Sequence, residues 1–277
     1  MSGNTYALTL GCSSGFGKAT SLELAKAGYN IYGVHFDRGS AKTAAEEFRQ
    51  ELESHGVKAT FFNTNAAGDQ NRAEVIEAIK QNAAETEGHE LRVLVHSLAF
   101  GALKPFITKD KDQSNALSRK QVEMTMDVMA NSLIYWVQDI YYNDLLANNS
   151  RIMGFSSIGA FKNMLGYGAV SAAKAALESY MRQLSIELAH TGTTCNSIFA
   201  GLTETPAASK IPGYDKMVHY GKISNPFGRL TTAVDVAKVV KMIADPECNW
   251  INGETITVDG GDSIYEFYHW DGSEASL

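Results

Sequence analysis

Residues 152–177 read IMGFSSIGAFKNMLGYGAVSAAKAAL, and the reading of this stretch decides the fold. A short apolar run ends in Ser156 and Ser157, a loop follows, and a Gly/Ala-rich helical pattern opens with a tyrosine and carries a lysine. Tyr167 and Lys174 stand seven residues apart, nearly two helical turns, so on a continuous helix both side chains leave from about the same face. A tyrosine beside an ammonium group has a chemical use. The charge favours phenolate-like character, and the hydroxyl can hydrogen-bond or protonate a substrate oxygen as charge develops there. The same text also suits a helix that buries its aromatic residue and lets the lysine snorkel to solvent. The flanking sequence decides between the two.

Outward from this stretch, strand and helix patterns alternate without a break. Apolar strand-like runs are read at 6–11, 30–36, 59–63, 91–96, 151–155, 194–199 and 254–258. Helical text lies between them, up to 27 after the first run, then at 40–55, 72–87, 119–146, onward from Tyr167 to 189, and at 234–244. This is the pattern of right-handed βαβ units, so the expected fold is α/β, a doubly wound parallel sheet of the Rossmann type. One domain over residues 1–277 is expected. The Gly/Pro-punctuated segment at about 205–225 interrupts the alternation after the sixth strand and reads as a mobile lid at the edge where such sheets bind ligands.

Composition narrows the function classes. Hydrophobic residues make up 44% and charged residues 20%, values that support a sizeable core. A formal net charge of −7 argues against a nucleic-acid surface. Cys12, Cys195 and Cys248 show no paired spacing, which argues against a disulfide framework or a zinc site. The chain passes from MSGN straight into a strand-like run, and no apolar stretch is long enough to cross a bilayer, so a cytoplasmic protein without a membrane partner is expected. His35, His55, His89, His190, His219 and His269 do not cluster as ligands would, and no metal is expected.

Gly11, Gly15 and Gly17, in the stretch GCSSGFG, fall at the first strand-to-helix junction. Glycines there permit a tight turn and close approach of backbone N–H groups to a pyrophosphate at the helix N-terminus. The second strand ends His35-Phe36-Asp37-Arg38, where an adenosine ribose would lie. An acidic residue at that point favours NAD and an arginine favours NADP, and both are present. Each also has a plain structural reading, Asp37 as a helix cap and Arg38 as a solvated charge. Asn65, after the third strand, suits an adenine contact or a turn.

With these residues assembled, the chain resembles the short-chain dehydrogenases/reductases over nearly its whole length. Gly11-x-x-x-Gly15-x-Gly17 is similar to the family's cofactor turn, and VDGG at 258–261 to its late strand. The family's usual tyrosine, four residues before the lysine, is Val170 here; Tyr167 and Lys174 instead fit the wider spacing of the enoyl-acyl carrier protein reductases. HSLAFG at 96–101 and AGLTETPAAS at 200–209 resemble segments of that same branch. Three departures accompany the resemblance. Ser157 stands where the common enoyl reductases have a second tyrosine, as in the NADPH-dependent subtype, whose arginine matches Arg38. Met129 replaces the catalytic asparagine of ordinary members. Leu202 replaces a lid proline, and the lysine-rich 107–118 insertion has no obvious counterpart.

The resemblance implies NADPH as cofactor, with NADH as the alternative, and hydride transfer to the double bond of a 2-enoyl thioester. Tyr167, Lys174 and Ser157 would form the catalytic set. Gly11, Ser13, Ser14, Gly15 and Phe16 would form the pyrophosphate turn, with Arg38 at the 2′-phosphate and Asn65 and Ala66 at the adenine. Ser97, Leu98 and Ala99 would flank the adenosine and nicotinamide side, Lys174 would hold the ribose, and Gly201, Thr203 and Thr205 would close over the phosphates. The substrate would be a small-molecule acyl thioester, free or on acyl carrier protein, and the assembly a homodimer or homotetramer. The aromatic run Tyr265-Glu266-Phe267-Tyr268-His269-Trp270 suits either a subunit interface or docking on its own core. Two rivals are a carbonyl reductase or alcohol dehydrogenase of the same family, using Ser157 and Tyr167 as donors, and an NADP-binding regulatory protein without turnover.

Overall fold

A computed structural model describes residues 3–265. Seven strands, β1 (Thr5–Leu10), β2 (Asn30–His35), β3 (Ala59–Asn63), β4 (Glu90–His96), β5 (Leu146–Ser156), β6 (Thr194–Ala200) and β7 (Thr255–Val258), form one sheet. Their order is β3-β2-β1-β4-β5-β6-β7, with every neighbouring pair parallel. Among the described residues there are eight α-helices, α1 (Gly15–Lys26), α2 (Ser40–Glu53), α3 (Asp69–Glu85), α4 (Arg119–Met126), α5 (Ser132–Tyr142), α6 (Gly168–Glu187), α7 (Tyr214–Ser224) and α8 (Ala233–Ala244), of which α7 buries no side chain. The α/β, doubly wound parallel sheet expected from the alternation is the observed fold.

The strands are apolar along their length because both faces are covered, as parallel sheets require. Alternate residues divide between two cores. Leu8, Leu10, Val34 and Leu94 face a cluster shared with Ile76 of α3, Trp136 of α5 and Leu177 of α6. Ala7, Ile31, Val95 and Met153 face the other cluster, with Leu24 of α1, Phe48 of α2 and Val240 of α8. β1 pairs with β2 on one side and β4 on the other, so the strand order reverses beside it. In open α/β sheets the ligand crevice lies beyond the carboxyl ends of the strands at such a reversal.

Three local outcomes differ from the sequence reading. Tyr167 is the cap residue of α6 rather than its first turn, because Gly166 sits at φ +74° and turns the chain just ahead of it. The helical text at 119–146 divides into α4 and α5 around a π-turn at Asp127–Asn131, and its last residue, Leu146, begins β5. In the 205–225 segment, Gly221 does not break the helix. Residues 214–224 form α7, with Gly221 letting the helix approach Leu202 and Leu230. Residues 266–270 of the aromatic run lie outside the described residues, and Tyr265 is half exposed.

Candidate active site

The glycine-rich turn is shaped by close packing. Gly11 has φ +85° and lies against the Ser97 carbonyl, while a side chain at Gly17 would strike the Gly11 carbonyl at 2.1 Å. The Gly11 and Cys12 N–H groups both donate to Val34 O, and Ser97 N–H donates to Leu10 O, so the turn is bound to β2 and β4 at once. Lys18 N–H donates to Ser14 O, leaving the first-turn N–H groups of α1 without intrahelical acceptors. Ser14 is exposed at the helix entrance, and its hydroxyl makes no capping bond. Phe16 stacks on Phe155, and Thr205 lies 3.5 Å from where a Gly15 side chain would begin. This cradle suits a dinucleotide pyrophosphate: N–H donors at a helix N-terminus, glycine surfaces, and hydroxyls at the rim.

Around the turn, Leu98 packs against Gly11, and Ala99 is exposed at the crevice edge. Thr203 is buried, donates to Gly201 O and bridges to Thr231, which closes the base of the 205–225 excursion. Asn65 is exposed, and its carboxamide oxygen accepts from Ala67 N–H. Ala66 is buried, with its carbonyl bound by the Trp136 indole. At the end of β2, Asp37 accepts from His35 Nδ1 at 2.9 Å, and its backbone is held on both sides by Asn63. Arg38 is exposed, with its guanidinium 5.3 Å from the Phe36 ring centre. The His35 contact was missed in the sequence, although positions 35 and 37 share a strand face by simple alternation.

The carboxyl end of β5 and the start of α6 place Ser157 and Tyr167 together against Gly159 and Lys174 on the Phe155 carbonyl. Tyr167 is partly buried and lies against Gly159, where any side chain would collide with its ring. Burial pushes its phenol up, with the nearby Ser157 hydroxyl acting in the opposite sense, so the group stays protonated at neutral pH and can donate. Lys174 is buried and donates to Phe155 O at 2.6 Å. Burial lowers its ammonium to about 8, with the carboxylate of Glu178, one turn along α6, acting in the opposite sense. Ser156 hydrogen-bonds Glu178 and keeps that carboxylate beside the strand end. Glu178 carried no signal in the sequence beyond its i+4 spacing from Lys174.

Two polar positions of ordinary dehydrogenases are apolar here. Val170 and Met129 are both buried and meet over Gly101, with no room for a side chain between them. His96 is buried and lies 2.8 Å from Ser132 Oγ, which itself donates to Val128 O, so the imidazole donates through Nε2. Burial, reinforced by the Lys174 charge, lowers His96 to about 3 and keeps it neutral.

A family model described as "Enoyl-(Acyl carrier protein) reductase" matches residues 11–263. The chain belongs to this family of short-chain dehydrogenases/reductases. It is an oxidoreductase. The chain is 27% identical over 258 residues to the 3-oxoacyl-[acyl-carrier-protein] reductase of Pseudomonas aeruginosa, covering 92% of this chain and 96% of that protein. It is 31% identical over 188 residues to the enoyl-[acyl-carrier-protein] reductase [NADH] of Aquifex aeolicus, covering 68% and 67%. The crystal structure of the Aquifex aeolicus enoyl reductase superposes with a TM-score of 0.81 at 24% identity, over 95% of this chain and 98% of that one. The reductase fold thus extends over the whole described sheet. The relatives divide between carbonyl and double-bond reduction.

Proposed function

We propose that this reductase transfers hydride from NADPH to the β-carbon of a 2-enoyl thioester. When bound, the reduced nicotinamide supplies the hydride. Tyr167 donates its phenol proton to the thioester oxygen as enolate charge develops. Lys174 holds the nicotinamide ribose hydroxyls and keeps positive charge beside the phenol. Gly11, Ser13, Ser14, Gly15 and Phe16 hold the pyrophosphate, and Gly201, Thr203 and Thr205 close over it. Asn65, Ala66, Ser97, Leu98 and Ala99 line the adenosine and nicotinamide side. Arg38 faces a 2′-phosphate, and the His35 contact engages the Asp37 carboxylate that would otherwise favour NADH. The 205–225 segment acts as the lid.

One observation carries the choice of enoyl over carbonyl substrate: Val170 and Met129 fill the usual polar positions with buried apolar groups, which leaves the partly buried Tyr167 as the tyrosine available on this end of α6. Carbonyl reduction is the second reading, and the approach of Ser157 Oγ and the Tyr167 ring to the same side of Gly159 favours it, because it puts two hydroxyl-bearing side chains near one place. The segments around the crevice, 103–120, 157–167 and 204–225, carry nine Lys or Arg against four Asp or Glu in a chain of net charge −7. That local excess supports a thioester delivered on an anionic carrier, either an acidic carrier protein or coenzyme A. NADPH oxidation measured with a short 2-enoyl thioester and with the matching 3-keto thioester tests the choice. Turnover of the keto compound alone would overturn it.

A further inference from the structure

The 103–117 loop folds on itself and then onto the start of α6. Leu117 N–H donates to Pro105 O, Lys104 Nζ to Ser114 O, and Asn115 to Asp110 and Asp112. Ala102 N–H donates to Thr125 Oγ1, which anchors the loop's entrance to α4. On the other side the backbone of Leu103 and Lys104 approaches Gly166, and the Phe106 ring rests on Gly168. A side chain at Gly168 would begin 2.3 Å from the ring's Cε2, so the ring's seat exists because residue 168 has none. Tyr167 lies between these two glycines. The loop therefore stands against the backbone on either side of Tyr167, held by its own polar bonds, and its apolar tip is left outward. Phe106 remains 54% exposed and Ile107 86% exposed. Phe100, Phe161 and Leu165, on the other segments around the crevice, are exposed as well. Apolar groups presented by a polar, self-bonded loop at the mouth of a site form a ligand-facing wall.

We propose that Phe106, seated on Gly168, is a specificity-determining residue that packs against the acyl chain of the substrate beyond its reacting carbons. The inference rests on the acyl-thioester reading of the site. It assigns selection for chain length to the 103–117 loop, with Gly168 as the positioning residue for the ring.

The test separates binding from turnover. Dissociation constants of saturated acyl-coenzyme A thioesters from four to twelve carbons are measured by calorimetry on the NADP⁺-loaded enzyme, in wild type, Phe106→Ala, Phe106→Leu, Gly168→Ala and the Phe106→Ala/Gly168→Ala pair. Wild type is expected to tighten by about three- to fourfold for each methylene that the wall covers. Phe106→Ala should flatten that dependence and leave the four-carbon compound unchanged, with Phe106→Leu in between. Gly168→Ala should reproduce the flattening by displacing the ring, and should add nothing in the Phe106→Ala background, where the methyl meets open space. The same chain-length profile in wild type and Phe106→Ala, or a Gly168→Ala effect that persists without the ring, overturns the proposal. So does a wild type that binds no chain length. Reduction of a short enoyl thioester with no length dependence would sink this inference alone, whereas length-dependent binding without enoyl turnover would leave it standing and sink the enoyl reading.

Discussion

Lys174→Met should make the protein more stable at neutral pH while abolishing its function. The ammonium is buried, and burial lowers it from 10.5 to about 8. Each pH unit corresponds to about 1.4 kcal/mol, so carrying the charge inside costs the folded state about 3 kcal/mol wherever both states are protonated. Methionine matches the stem, fills the same space and carries no charge. The replacement leaves Phe155 O without its donor, a loss of about 1–3 kcal/mol. A net gain of about 1 kcal/mol remains, or a rise of about 2–4 °C in melting temperature. The sign with pH follows from the direction of the shift. A folded value below the unfolded one means that the unfolded chain binds more protons between pH 8 and 10.5, so wild-type stability rises through that window. The advantage of the methionine variant should therefore be greatest below pH 8 and fade towards pH 10.5. Differential scanning measurements from pH 6.5 to 10, with NADPH affinity and turnover on the same samples, give the result. A variant less stable than wild type at pH 7, or one whose difference from wild type does not change with pH, would refute the reasoning.

The remaining expectations follow from the same geometry. Tyr167→Phe keeps the ring against Gly159 and should lower kcat by about 10²–10³ with NADPH affinity near wild type, as read by steady-state kinetics and a direct binding titration; undiminished turnover would remove Tyr167 from the mechanism. Arg38→Ala should weaken NADPH and spare NADH, whereas a wild type that prefers NADH would mean that Asp37 dominates despite its bond to His35. Glu178→Gln removes the carboxylate that raises Lys174, so the alkaline limb of the kcat profile should move to lower pH by about one unit. An unmoved limb would show that Glu178 serves only to anchor Ser156.

The parts of this molecule that the sequence displayed are those governed by a single period or a single steric demand. Apolar runs such as ELRVLVH can be buried on both faces only as central strands, and a glycine cluster after the first of them places the cofactor turn. The start of α6 was not legible, because periodicity continues smoothly from Tyr167 into the helix; the left-handed Gly166 sets the boundary, and nothing in the pattern marks its φ. The 103–117 loop carries no period at all. Its bonds between Asp110, Asp112 and Asn115 run within the loop, and Phe106 and Gly168 are 62 residues apart in the chain, so only the folded chain shows what the loop faces.

The apolar substitutions and the shifted lysine are one feature seen at two levels. Val170 and Lys174 are one turn apart on α6, and Val170 meets Met129 over Gly101. Both residues are buried, so the wall below the ammonium offers hydrocarbon where a polar group would have offered a partner. His96, also close by, is held neutral and donates to Ser132, away from the lysine. The charge is therefore balanced by one backbone carbonyl and by Glu178, one turn along the same face of α6. Such a cation is costly in the empty site and gains from any ligand that brings acceptors to it. On the function proposed above, the ribose hydroxyls of a bound dinucleotide would be such acceptors, and the destabilisation at Lys174 would be released as affinity when the cofactor enters.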